Sequence, residues 1–177
     1  MRGTALPRIA CLALACLVLS SVGPVWGKNP EVEETKEGDK ILVLPSEVEK
    51  FLSQEFPGYR IPKTSDFNPA MLEYFYSRLI GVHPAVAYGD FNGDKKRDYA
   101  LILITGDTKW GPLVELIVLN GTRRSGEFDV FHLGELYAFK DDYLSFNDGK
   151  LYKGRLQKGG WYISWDPKKQ TYNVVKS

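Results

Sequence analysis

Two stretches of the chain place their apolar residues at helical spacing. The first begins at Ser46, which has the spacing of a capping box with Glu49, and it ends before Pro57 and Gly58. Its apolar positions share one face: Val48, Phe51, Leu52 and Phe56. This pattern predicts an amphipathic helix.

The second helical stretch covers residues 69–80. Asn68 is the predicted N-cap, Pro69 occupies the first turn, and Gly81 is the predicted terminator. Its apolar stripe consists of Met71, Leu72, Phe75 and Leu79. Both helices therefore need an apolar surface to cover.

The rest of the chain alternates short β-rich runs with Gly, Asn, Asp and Pro. Strands are predicted at residues 84–89, 99–105, 112–119, 128–133, 143–146, 150–156, 161–165 and 171–175. The runs 101–104 and 116–119 are continuously apolar, as expected of central strands buried on both faces. The segments 147–149 and 166–170 have the composition of hairpin turns, so the C-terminal third should be a meander.

Together these elements predict an α+β fold of two layers. Two N-terminal amphipathic helices are expected to pack on an antiparallel, meander-rich β-sheet. The single domain is expected to span residues 41–177.

Residues 1–27 have the pattern of a secretory signal peptide. Arg2 and Arg8 precede an apolar run over residues 9–19, and small residues lead to a cleavage point after Gly27. The run is shorter than the roughly 20 residues that span a bilayer, so no membrane span is expected. We therefore expect a secreted or periplasmic protein.

A lipoprotein is the alternative for this leader. Cys16 follows Ala13-Leu14-Ala15, a weak version of a lipoprotein box. Both cysteines, Cys11 and Cys16, lie in the leader, so the remaining domain must be stable without disulfides.

The distribution of charged residues indicates the state of residues 28–40 and bears on whether the protein binds nucleic acid. Residues 28–40 carry eight charged side chains among thirteen and a single Val, which predicts a flexible charged arm. Beyond the leader, 21 basic residues stand against 22 acidic ones. This balance gives no field that would attract nucleic acid, so nucleic-acid binding is not expected.

The most specific chemical signal is the segment 90–98, which reads Asp-Phe-Asn-Gly-Asp-Lys-Lys-Arg-Asp between two predicted strands. Side-chain oxygens at its first, third, fifth and ninth places can converge on one Ca²⁺ ion, which takes about six to eight oxygen ligands. The predicted ligands are Asp90, Asn92, Asp94 and Asp98, with the backbone carbonyl of Lys96. Without an ion, Asp90, Asn92 and Asp94 would close the loop as Asx-turns.

The segment resembles the calcium loop of FG-GAP and VCBS-type repeats. In that family a strand leads into Asp-Phe-Asn-Gly-Asp-Gly-Lys-x-Asp and then into a strongly apolar strand, and residues 89–102 match most of this pattern. The resemblance implies calcium binding at Asp90, Asn92, Asp94 and Asp98 only. The family's repeats come in sets that build a propeller, and the sequence holds no second Asp-x-Asn-x-Asp, so a propeller is not expected.

Lys95 departs from the family pattern, which has Gly at that place. A left-handed backbone is usual there, and it costs a residue with a side chain on the order of 1 kcal/mol. Lys95, Lys96 and Arg97 also offset the three aspartates, so we expect weak to moderate affinity. Leu101 occupies the twelfth place, where an EF-hand has Glu, and this excludes an EF-hand.

Aromatic residues and histidines give weaker candidates. Trp110, in the loop 106–112, is a candidate contact residue, with a lid on the core as its alternative. The aromatic C-terminal strands favour core packing over a sugar-binding platform. His83 and His132 lack a partner at ligand spacing in the sequence, so zinc is not expected.

We expect a non-catalytic binding or structural domain with a calcium loop, whose partner is a protein or a glycan. The sequence holds no recognisable nucleophile or metallohydrolase motif. One alternative is a small envelope glycan hydrolase that uses a carboxylate pair. Its candidate acids are Glu115, Glu135, Asp141 and Asp142. Another is a protein inhibitor that inserts the loop 105–112 into an enzyme's cleft, which requires an exposed Trp110.

Overall fold

The computed structural model describes residues 28–137 and 139–177, so the predicted leader lies outside the described residues. The elements in chain order are β1 (Glu31–Glu34), β2 (Lys40–Val43), α1 (Ser46–Glu55), α2 (Pro69–Ser77), β3 (Val86–Gly89), β4 (Asp98–Thr108), β5 (Gly111–Gly121), β6 (Phe128–Glu135), β7 (Asp142–Asn147), β8 (Lys150–Arg155), β9 (Gly159–Asp166) and β10 (Thr171–Lys176). Short 3₁₀ turns lie at Thr64–Asp66 and Phe139–Asp141.

The predicted α+β class is wrong, because the described chain is mostly β and its strands form three sheets. β1 and β2 form a hairpin, β3-β4-β5-β6 form one meander, and β7-β8-β9-β10 form a second. The two helices contain only 10 and 9 residues. Periodicity reveals strands but not where one sheet ends and the next begins, which is why the predicted strands were assigned to one sheet.

The two predicted helices are present, although their ends differ. Asn68 caps α2 as predicted, since its Oδ1 accepts from the backbone N–H of Ala70 at 3.0 Å. The capping box at Ser46 is wrong: Pro45 is the N-cap of α1, and Ser46 lies inside the helix. α2 ends before Gly81 because Leu79 already adopts a positive φ of 51°.

All eight predicted strands are confirmed, and so is the C-terminal meander. The β7–β8 turn contains Asp148 and Gly149 with φ of 50° and 72°. Two successive positive φ values are what a type I′ hairpin turn requires.

The charged segment 28–40 is ordered as part of a hairpin, which corrects the predicted flexible arm. Residues Glu31–Glu34 pair with Lys40–Val43, and Val32 packs on the core while its acidic neighbours stay outside. The Asp39 side chain accepts from the N–H and the hydroxyl of Ser65, both at 2.9 Å. Backbone pairing and these local bonds therefore order a segment whose composition alone predicts none.

The β3–β6 sheet is buried on both faces, which explains the continuously apolar runs. One face packs against α1 and the β1–β2 hairpin through Leu101, Leu103, Ile117 and Leu119. The other packs against α2 and the β7–β10 sheet through Ala100, Ile102, Leu116 and Val118. In the described part of the chain, no helix has the length and apolar character to cross a membrane.

Candidate functional site: the acidic loop

The acidic loop connects β3 to β4 and closes at a strand pair. Gly89 at the end of β3 is the register partner of Asp98 at the start of β4. The hairpin register therefore brings the first and last acids of the loop to its base.

Asp90 organises the backbone of the loop. Its Oδ1 accepts from the N–H groups of Gly93 at 2.7 Å and Asp94 at 3.0 Å, and its Oδ2 accepts from that of Lys95 at 2.8 Å. The Asn92 Oδ1 also accepts from the Asp94 N–H, at 3.0 Å. The Asn92 bond has the two-residue span of an Asx-turn, the predicted alternative to an ion, whereas the Asp90 bonds reach three to five residues along the chain.

Lys95 adopts φ of 66°, the left-handed backbone expected at the place where the FG-GAP-type loop pattern, which this loop only resembles, has Gly. It is the sixth residue of the loop, the place where calcium loops make their sharp turn. The backbone therefore makes the sharp turn of a calcium loop, although Gly, the residue that adopts a positive φ at the least cost, is absent from this place.

Asp94 and Lys96 pair within the loop. The Asp94 Oδ1 accepts from the Lys96 N–H at 3.0 Å, and its Oδ2 lies 2.6 Å from the Lys96 ammonium. Both side chains are about one-third exposed, so this ion pair is weakly stabilising. A loop cation therefore already contacts one predicted calcium ligand.

Asp98 is fully buried and fastens the loop to the sheet. Its Oδ2 accepts from the Phe91 N–H at 2.7 Å, and its Oδ1 accepts from the Gly121 N–H at the end of β5 at 3.0 Å. Burial, helped by the charges of Asp94 and Asp90 and opposed by the two backbone donors, raises the pKa of Asp98 to about 7.

The predicted ligands thus lie in one loop, but their carboxylates are directed toward backbone N–H groups. Within residues 28–137 and 139–177, no three His, Cys, Asp or Glu side chains form a group that could hold a metal ion. A calcium site here depends on adding the amide oxygen of Asn92 and the carbonyl oxygen of Lys96 to the aspartates.

Trp110 is 87% exposed at the turn between β4 and β5, so the alternative of a lid on the core is wrong. The two strands pair as far as Thr108 and Gly111, whereas β6 pairs with β5 only from Glu115 onward. The end of the β4–β5 hairpin therefore projects beyond the β6 edge.

Core packing of the C-terminal aromatic residues is confirmed for Trp165 and Tyr172, whereas Tyr162 is exposed. Ile163 is buried in the core, and the Trp165 ring lies 5.5 Å from that of Phe131 and 5.1 Å from that of Tyr172. Trp161 instead has the ammonium of Lys153 over its ring, 4.2 Å from the centroid.

The two histidines have different surroundings. His83 is fully buried, its Nδ1 accepts from the Ala85 N–H at 3.2 Å, and burial lowers its pKa to about 4. His132 is exposed, and its Nδ1 lies 3.2 Å from the Glu115 Oε2. This cross-strand pair joins residues 17 positions apart, so sequence spacing did not reveal it.

Each of the four acids considered for glycan hydrolysis has a structural partner. Glu115 accepts from the Thr105 hydroxyl at 2.9 Å. Glu135 accepts from the Tyr137 hydroxyl. Asp141 accepts from the Asn68 amide, and Asp142 accepts from the Arg155 guanidinium. Glu115 and Glu135 are register partners on β5 and β6, but the second of them is exposed at the end of its strand.

Sequence reasoning missed a buried ion group made by Asp142, Lys153 and Arg155. The fully buried Asp142 carboxylate accepts from the Arg155 Nε at 2.6 Å and lies 2.9 Å from the Lys153 ammonium. A signal was present, because Leu151 is a core residue and strand alternation places Lys153 and Arg155 on the same face.

Comparison of the chain with protein-family models, with curated proteins and with solved structures gives no match. The resemblance to FG-GAP and VCBS-type repeats thus rests on the residues of the acidic loop.

Proposed function

We propose that this protein is a secreted or periplasmic, non-catalytic binding domain whose acidic loop binds Ca²⁺. The observation that carries the calcium proposal is the loop conformation, with a left-handed residue at the sixth place and the Asp90 carboxylate closing the turn. The ion would hold the connection between β3 and β4, and it would stabilise the domain rather than act as a switch.

The proposed ligands retain capacity for an ion. A carboxylate offers about four lone-pair positions, and Asp90 uses three of them for backbone N–H groups. Asp94 uses two, both for Lys96, and the Asn92 carbonyl oxygen uses one of about two. Each can therefore contribute one oxygen contact without breaking the Asx-turns.

The loop cations set the expected strength of binding. The Lys96 ammonium contacts Asp94 and must move away when the ion enters, and Lys95 adds a further positive charge. A dissociation constant of about 0.1 to 1 mM at about 1 mM calcium would stabilise the folded state by about 0.4 to 1.4 kcal/mol.

Thermal unfolding of the domain in calcium and in a chelator tests the proposal. For a domain of this size, the melting temperature should rise by about 1 to 5 °C in millimolar calcium. Asp90→Asn should abolish the rise, because it removes a ligand charge. Asp148→Asn, in the β7–β8 turn, is the matched control and should keep it. Equal melting temperatures for the unaltered domain in 10 mM calcium and in chelator would rule the site out.

The exposed Trp110 favours a second candidate, a protein inhibitor that inserts the β4–β5 hairpin into an enzyme's cleft. Exposed tryptophans at the ends of loops are typical contact residues in protein interfaces. The test measures inhibition of a panel of secreted hydrolases by the unaltered domain and by Trp110→Ala. Tyr162→Ala, which truncates another exposed aromatic residue, is the control. Inhibition that survives Trp110→Ala would exclude this role for the hairpin.

A further inference from the structure

A pocket of about 320 Å³ lies between the β5–β6 end of one sheet and strands β8, β9 and β10 of the other. This volume is at the lower end of the range of about 300 to 1,000 Å³ for small-molecule sites. Its apolar lining includes Leu116, Leu133, Ile163 and Val174. Its cationic lining consists of Lys153 and Arg155.

The two cations are held rigidly behind this apolar lining. Asp142 is bound by the Arg155 Nε at 2.6 Å and Nη2 at 3.0 Å, and by the Lys153 ammonium at 2.9 Å. Lys153 is only 3% exposed, which is rare for a lysine. A charged group with this little freedom is positioned before a ligand arrives.

One carboxylate serves two cations, so the group carries one uncompensated positive charge. Burial lowers the pKa of Lys153 against the opposing effect of Asp142, which indicates that the ammonium is poorly solvated. Arg155 directs two of its five N–H groups at Asp142. Lys153 has three N–H groups; its ammonium makes one contact with the same carboxylate and lies over the Trp161 ring, 4.2 Å from the centroid. Both cations thus keep donors for another acceptor.

The two neighbouring acids, Glu135 and Asp141, do not accept from the remaining N–H groups of Lys153 and Arg155. Glu135 lines the pocket, accepts from the Tyr137 hydroxyl at 2.8 Å, and forms no ion pair with a cation of the described chain. Asp141 adds a negative charge near Arg155, but its side chain is bound by Asn68. A ligand carboxylate can therefore approach the two cations, with Glu135 as a repulsive neighbour that limits its affinity.

We propose that this pocket binds a small amphipathic carboxylate. The carboxylate accepts from Lys153 and Arg155, and the hydrocarbon part packs against Leu116, Ile163 and Val174. A ligand with both parts uses the apolar lining and the unused donors together, which neither a hydrocarbon nor a simple anion does. The site is separate from the acidic loop, so it is independent of calcium.

Octanoate is the probe, with octanol as the matched neutral compound, and calorimetric titration in chelator excludes a contribution from calcium. We expect octanoate to bind with a submillimolar dissociation constant and octanol to bind at least about tenfold more weakly. No binding of octanoate at 10 mM, or equal binding of both compounds, would overturn the proposal.

Lys153→Met separates the charge from the apolar pocket. The variant leaves Asp142 and Arg155 as a balanced pair, so it should fold, and it should bind octanoate at least about tenfold more weakly. Lys150→Met removes an exposed lysine from the same strand and should bind octanoate normally. Octanoate affinity unchanged in Lys153→Met would overturn the assignment of the carboxylate to this group.

If Lys153→Met does not fold, a second variant tests whether octanoate binds in this pocket. Val174 lies half-exposed on the edge strand β10, where a larger side chain is tolerated. Val174→Trp should narrow the pocket and abolish binding of octanoate while the melting temperature stays near that of the unaltered domain. Full octanoate affinity in this folded variant would show that the compound binds elsewhere.

Discussion

At the scale of single residues, Lys95 keeps a strained left-handed backbone within an ordered loop. Its φ of 66° belongs to the left-handed region, where a side chain clashes with the backbone. The loop tolerates this because the Lys95 N–H donates to Asp90 at 2.8 Å. The hydrogen bond and the strain therefore occur at the same residue.

Lys95→Gly should increase the free energy of unfolding by up to about 1 kcal/mol, because it removes this strain. If calcium binds, the affinity should rise about tenfold or less. Urea denaturation with and without calcium measures both effects. Gln157→Gly relieves a similar φ of 59° outside the loop, so it should change stability without changing calcium affinity. Calcium affinity that is unchanged or weaker in Lys95→Gly would show that Lys95 does not limit binding.

His83 is expected to make the domain less stable in acid. Its folded-state pKa of about 4 lies below the unfolded value of 6.5, so the unfolded state takes up a proton that the folded state does not. Taken alone, His83 should lower the free energy of unfolding by up to about 3 kcal/mol as the pH decreases from 6.5 to 4.

A comparison of variants isolates this effect. The raised pKa of Asp98 acts in the opposite direction, since it favours the folded state as the pH falls from about 7 toward 4. His83→Asn keeps an acceptor for the Ala85 N–H but does not titrate, and its stability relative to the unaltered domain should improve in acid. His132→Asn, at an exposed position, should show no such trend. A constant difference between His83→Asn and the unaltered domain from pH 4 to 7 would contradict the assigned pKa.

At the scale of elements, the glycines of β8 and β9 determine how the second sheet packs. Gly154 is the register partner of Tyr143 on one side and of Gly160 on the other. A Cβ atom at Gly154 would collide with the Tyr143 ring, and one at Gly160 would collide with Tyr152. The tyrosine rings thus lie over a strip of backbone that has no side chains.

Gly154→Ala should destabilise the domain by about 1 to 3 kcal/mol, because the Tyr143 ring must leave its position. Gly106→Ala is the control: it also lies in a strand, its added Cβ meets nothing within 4 Å, and it should change stability by less than about 0.5 kcal/mol. Thermal denaturation of both variants measures the contrast. Equal stability of the two would show that the ring is free to move.

The elements also show which parts of the fold could be predicted from sequence. Alternation and turn residues located every strand from β3 to β10, because each is bounded by Gly, Asn, Asp or Pro. β1 was missed because its charges suggest solvation, whereas its order comes from pairing with Lys40–Val43. The left-handed Lys95 was predictable from its place in the loop. Strand alternation indicates that Lys153 and Arg155 share a face, but their partner Asp142 was not predictable, since it depends on how β7 pairs with β8.

At the scale of the whole molecule, the β3–β6 sheet is the middle layer of three. Ile102 and Leu103 are neighbours in β4, both are fully buried, and they face opposite sides of the sheet. A sheet covered on one side would leave one of them exposed. The predicted arrangement of two layers is therefore wrong as well as the predicted α+β class.

Ile102→Ala and Leu103→Ala should therefore destabilise the domain by similar amounts, about 2 to 5 kcal/mol each. Val175→Ala, at an exposed position of β10, should change stability by less than about 0.5 kcal/mol. Chemical denaturation gives the three values. A cost below about 1 kcal/mol for either β4 variant would mean that one face of the sheet is open to solvent.

The amides that donate to the buried Asp98 should exchange their hydrogens more slowly than the amides at the tip of the acidic loop. The Phe91 and Gly121 amides donate to a carboxylate that water does not reach, so they should be protected like strand amides. The Gly93 and Lys95 amides donate to Asp90, which is partly exposed, and they should exchange faster. The loop is thus rigid where it joins the sheet and open at its tip, where an ion would enter.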